Sequence, residues 1–228
     1  MIKLSDFQKL LALFIAFITA MIICRMLYSG SIRFIFLLWN LFLAWIPYQL
    51  SSYLSWKRAA NKWKAGVLLA GWLLFFPNAL YIITDLVHLE TKTNVPIWYD
   101  AVLLFASAIV GLLMAFASLY KVEKFFLKKI GIPATNKLIV LCLFMGSFGV
   151  YLGRFLRWNS WDIITNPMEL SKEIALRFFF PVDYYRTWAI TLLFTGLFSL
   201  LYFMVKILTA TAITFNKSAD TPKTNSGR

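Results

Sequence analysis

Histidine occurs once in this chain of 228 residues, cysteine twice, and acidic residues ten times against twenty-three lysines and arginines. Each scarcity excludes something. A single histidine, His88, rules out a multi-histidine metal centre. Cys24 and Cys142 have no C-x-x-C spacing, and both sit inside apolar runs, where packing rather than a disulfide is expected. No Walker loop, H-E-x-x-H or G-x-S-x-G motif occurs. No cofactor is expected. Charged residues make up 14% of the chain, against about 25% in ordinary soluble domains.

What the chain has instead is apolar surface: 61% hydrophobic residues, 18% of the chain aromatic. A soluble fold of this size has nowhere to hide that much, whereas lipid does. The net charge of +13 raises the question of nucleic acid. However, the basic residues form no single patch and instead punctuate the spaces between apolar runs, so a nucleic-acid partner is not expected and membrane lipid is.

Spanning helices need about 20 mostly apolar residues. Six runs qualify: Phe7–Tyr28, Ile32–Leu54, Ala65–Thr84, Trp98–Tyr120, Leu138–Leu156 and Thr187–Leu208. The first is too long, and lacks the cleavage site, for a signal peptide. The prediction is an all-α, polytopic membrane bundle of six spans over residues 1–214, followed by a polar, disordered cytoplasmic tail over 215–228. With six spans, fifteen Lys and Arg fall on the face shared by the N-terminus, the 55–64 and 121–137 loops and the tail, and eight fall on the other. The positive-inside rule then places both termini in the cytoplasm.

Odd polar chemistry gathers on the outer face. In FFPNALYIITDLVHLE (75–90), Pro77 predicts a kink, and Asn78 beside it needs a partner within the membrane. If helix continues, Asn78, Tyr81 and Asp85 share one face at spacings of 3 and 4, with His88 close to it. Interfacial anchoring, a hydrogen-bonded Asp–His pair, or a metal held by Asp85, His88 and Asp100 are the alternatives. In WYD (98–100), Asp100 opens an apolar run and serves either as helix cap or as partner for an arginine or ligand.

The third stretch is GVYLGRFLRWNSWD (149–162). On a continuous helix Arg154, Arg157, Trp158 and Trp161 form a stripe that Gly146, Gly149 and Gly153 continue inward, with Asp162 just beyond. The glycines predict close helix approach. The arginines have three open readings: ion pairs with Asp85 or Asp100, a grip on a small anion or anionic lipid headgroup, or snorkelling to the interface. Six of the eight outer basic residues are arginine, which suits carboxylate or phosphate recognition.

The longest connection follows, from Asn159 to Arg186. Within it NPMELSKEIALRFF reads as a helix capped by Asn166, with Pro167 in its first turn. Its apolar stripe of Leu170, Ile174 and Phe178 predicts an amphipathic helix on the outer surface, between spans five and six, that covers the polar site like a lid. On the second span, Asn40 lies deep in the membrane and is expected to bond across helices.

FPNALYIITDLVHL, WYD and GVYLGRFLRWNSWDI together resemble the signature segments of a bacterial membrane family called domain of unknown function 1361. The resemblance implies a prokaryotic plasma membrane and carries no catalytic residue. Three function classes therefore stay open: a structural or accessory protein whose polar network locks helices together, a binding or transport site for an anionic solute or lipid headgroup, and an enzyme on a lipid-linked phosphate with Asp85, Asp100 and His88 as acid–base groups. Oligomeric state has no signal in the sequence.

Overall fold

The computed structural model describes residues 4–54, 62–89 and 94–219. Among them every regular element is helical: α1 (Leu4–Ser29), α2 (Phe36–Tyr53), α3 (Lys62–Tyr81) continuing as a 3₁₀ segment (Ile82–His88), α4 (Ile97–Phe155), α5 (Asp162–Thr165), α6 (Pro167–Phe179) and α7 (Tyr185–Ala219). Apolar chain in lipid must satisfy its backbone within itself, and a helix does so segment by segment. Among the described residues, four helices are long and apolar enough to cross a membrane: Asp6–Ser29, Trp63–His88, Ile97–Phe155 and Tyr185–Ala212. α2, with 18 residues and Asn40, Pro47 and Gln49 in its sequence, is not among those four.

At 1.5 Å per residue, the 59 residues of α4 as one rod would reach about 88 Å, roughly three times the hydrocarbon thickness of a bilayer. The helix is not one rod. Gly131 has φ 76 and ψ 174, outside helical geometry, and Pro133 follows. The two arms fold back on each other. A Cβ on Gly111 would meet Ile82 at 2.9 Å, and one on Gly146 would meet Leu80 at 2.9 Å, so residues on opposite sides of the break press on the same stretch of the third helix. Glycine at Gly131 permits the positive φ that turns the chain.

α4 is the hub, touching α1, α2, α3 and α7. Its core residues, such as Leu103, Val110, Leu119, Leu143 and Val150, are fully buried. Across the rest of the surface, large apolar side chains such as Leu193 and Leu200 of α7 are exposed, as lipid-facing residues should be. α7 continues through Phe215, where the sequence predicts a tail, to Ala219. No proline or glycine lies between Gly196 and Ala219 to stop it. Residues 220–228 lie outside the described residues.

Two polar knots close the bundle at opposite ends. At one end Glu123 of α4, 4% exposed, accepts from the Tyr202 hydroxyl at 2.5 Å and pairs with Lys206 of α7. Nearby, Lys121 Nζ donates to the Ser52 hydroxyl at 2.7 Å and sits over the Tyr48 ring. The other end holds the outer-face motifs.

Candidate functional site

Pro77 lies inside α3, and its ring is the surface against which the returning arm of α4 packs. A Cβ at Gly149 would stand 2.5 Å from Pro77 Cγ, so no larger residue fits without a shift. Gly146 meets Phe76 and Leu80, and Gly153 faces Tyr81, both also on α3. The glycine stripe thus lets the two helices approach closely from Phe76 to Tyr81.

That approach brings Arg154 onto the end of α3. Its Nη2 donates to the Thr84 carbonyl at 2.7 Å, and its Nη1 to the Tyr81 hydroxyl at 2.9 Å and to Asp85 Oδ1 at 3.3 Å. Asp85, 1% exposed, also accepts from Asn40 Nδ2 of α2 at 2.8 Å. A carboxylate removed from water needs such partners. Three helices are thereby tied at one point.

A second, separate pair lies between α1 and α4. Arg25 Nε and Nη2 donate to the two carboxylate oxygens of Asp100 at 2.7 and 3.0 Å, with both side chains buried. The Arg25 guanidinium stacks on Phe34 at 4.4 Å. Asp100 makes no cap: the N-cap position belongs to Pro96, without a side-chain bond. Arg25 is the residue that sequence reasoning missed. Its one available signal was a charge interrupting an otherwise apolar run.

The remaining candidates disperse. The helical stripe expected through Arg157 does not form, because α4 ends at Phe155. Arg157 turns into the left-handed region with φ 60, and the Trp158 N–H bonds back to the Leu152 carbonyl at 3.1 Å. Arg157 is exposed, with no ion pair among the described residues. Asp162 serves its own loop, accepting from the Asn159 N–H at 2.6 Å and the Thr165 hydroxyl at 3.0 Å. His88 packs edge-on against Phe36 at 5.2 Å. Among the described residues, no three His, Cys, Asp or Glu side chains gather where an ion would bind.

Asn78 finds its partner in the connection after α4: its Nδ2 donates to the Ser160 hydroxyl at 2.9 Å, and Ser160 donates to the Leu74 carbonyl at 3.0 Å, one turn before Pro77. Asn78, Tyr81 and Trp158 line a cleft of about 610 Å³ between α2, α3, the returning arm of α4 and α6. Its floor is apolar, with Leu73, Phe144, Met145 and Phe148. Leu170, Ile174 and Phe178 of α6 close one side, the same stripe that the sequence spacing picks out. α6 is held there by Trp188, whose indole N–H donates to the Arg177 carbonyl at 3.2 Å and whose ring meets Phe178 at 5.0 Å. Asn166 occupies the N-cap position of α6 but makes no side-chain capping bond, since its backbone φ of −136 and ψ of 54 do not aim it at the helix.

The chain belongs to the family described as protein of unknown function (DUF1361), whose model matches residues 39–205. No curated protein and no solved structure matches it. The matched stretch takes in every residue that lines the cleft, along with Asp85, Asp100 and Arg154. It excludes Arg25.

Proposed function

We propose that this is a six-span protein of a bacterial plasma membrane, with both termini in the cytoplasm, whose outward cleft binds an amphiphile beneath α6. Six crossings follow if each arm of α4 crosses once and α2 crosses beside α3. The excess of Lys and Arg on the N-terminal face supports the orientation. The location in a bacterium is what the resemblance implies.

The observation that carries the binding reading is the cleft itself. A wall of aliphatic and aromatic side chains leads to a short polar end with Asn40, Asn78, Tyr81 and Trp158. Its volume falls within the roughly 300–1,000 Å³ of small-molecule sites, and its mix of apolar surface with few polar groups is what such sites use. The ion pairs play the supporting part. Both Nη atoms of Arg154 are committed to protein acceptors, and Asp85, Asp100 and His88 lie off the cleft wall. This favours binding over the phosphate-enzyme alternative, in which those groups would face the substrate.

The test is native mass spectrometry of the gently extracted chain beside Ala70→Trp, which fills the cleft from an exposed lining position. A lipid-sized adduct on the native chain, at least tenfold depleted in a variant of unchanged melting temperature, is the expected result. A native chain without any adduct, or an adduct indifferent to Ala70→Trp, would overturn the reading.

A further inference from the structure

The hydrogen bonds around the cleft fix which groups remain to meet a ligand. A serine hydroxyl carries a single proton. Ser160 gives its proton to the Leu74 carbonyl, so it can only receive from Asn78. That sets the Asn78 amide: Nδ2 points to Ser160 and Oδ1 is left as an acceptor. Asn40 is set in the same way. Its Nδ2 donates to the Asp85 carboxylate, which beside Arg154 is an acceptor, and its Oδ1 is left over.

Tyr81 shows the opposite balance. Its oxygen receives from Arg154 Nη1, and arginine donates only, so the phenolic proton remains available. The Trp158 indole N–H, also a pure donor, has no acceptor among the described residues. Beside the second N–H of each amide nitrogen, the polar end of the cleft therefore offers two amide-oxygen acceptors, a phenol donor and an indole donor. Among the described residues, no charged side chain lines the cleft.

A phosphate or sulfate headgroup accepts and does not donate, and it carries negative charge. The two amide oxygens would repel it, and the guanidinium nearest to them has its Nη donors turned to Thr84, Tyr81 and Asp85. A hydroxyl both donates and accepts, so neighbouring hydroxyls satisfy carbonyls and N–H or O–H donors together.

We infer that the ligand of this cleft is a lipid with an uncharged, hydroxyl-bearing headgroup, of glycosyl or glyceryl chemistry, and not an anionic one. This deepens the amphiphile reading above and rests on it. The anionic headgroup that the arginine-rich outer face suggests in the sequence is thereby replaced by a neutral one. Arg154 turns its Nη atoms to Thr84, Tyr81 and Asp85 and does not line the cleft, and Arg157 leaves the helix without lining it.

The experiment titrates the full chain, in lauryldimethylamine oxide, with three probes of equal chain length: 1-monolauroyl glycerol, dodecyl β-glucoside and dodecyl phosphate. Native mass spectrometry reads the bound fraction. The two hydroxylated probes should bind at least tenfold more tightly than dodecyl phosphate. Trp158→Phe, which keeps the aromatic wall and deletes one donor, should weaken the hydroxylated probes about five- to tenfold, the worth of one neutral hydrogen bond, and leave dodecyl phosphate unchanged. Dodecyl phosphate binding as tightly as the others, or more so, overturns the headgroup inference and leaves the cleft reading standing. Failure of all three to bind overturns the cleft reading itself.

Discussion

Arg154 stands 3.3 Å from Asp85, yet its closest bonds are to the neutral oxygens of Thr84, at 2.7 Å, and Tyr81, at 2.9 Å. The guanidinium is thus a bracket across the end of α3 as much as an ion-pair partner. Three acceptors in fixed directions suit a planar fork and not an ammonium. Arg154→Ala should destabilise the protein by about 3–5 kcal/mol, because it leaves a buried carboxylate without its cation. Arg154→Lys should recover less than half of that loss. Denaturant unfolding in bicelles measures both. Full recovery by lysine would mean that only the charge matters.

Arg25 and Asp100 form the more enclosed pair, and here the two positions should couple strongly. Arg25→Leu or Asp100→Leu alone should cost about 3–5 kcal/mol. The double variant with Arg25→Leu and Asp100→Leu should fall well short of the sum, because neither charge is then stranded. A double-mutant cycle on melting temperature reads this. Additive losses would show that the pair does not interact across α1 and α4.

Gly149 and Gly153 belong to one stripe but face different neighbours. Gly149→Ala drives its methyl group to 2.5 Å from the rigid Pro77 ring and should destabilise by about 1–3 kcal/mol. Gly153→Ala meets nothing nearer than 3.5 Å and should be neutral. Equal effects would contradict the close approach of α3 and α4.

These contrasts mark what could be read from the chain. The helical class and the glycine stripe were legible because each is a local pattern: an apolar run, and a spacing of 3 and 4. The spacing of Leu170, Ile174 and Phe178 likewise picked out the face of α6 that turns to the cleft. Arg25 with Asp100 was not legible, since nothing local links residues 75 apart. Arg157 was misplaced because a stripe drawn on an endless helix ignores the left-handed turn at its end. Glu123 falls within the 121–137 stretch that the sequence assigns to a loop, whereas the chain breaks only at Gly131, which leaves Glu123 on the helix and buried against Tyr202.

Topology has its own check. In a background with Cys24→Ala and Cys142→Ala, a cysteine introduced by Asn159→Cys should react with a membrane-impermeant maleimide on intact cells. One introduced by Lys128→Cys should react only after permeabilisation. Labelling of both from the same side would show that the two arms of α4 do not each cross the membrane.

The most direct test of the cleft is an experimental density map of the chain in a nanodisc that contains native lipid. The account predicts elongated density running from Phe144 and Phe148 to a compact end between Asn78, Tyr81 and Trp158, with Arg154 still bound to Asp85. An empty cleft, or a headgroup held instead by Arg154 with Asp85 released, would contradict it.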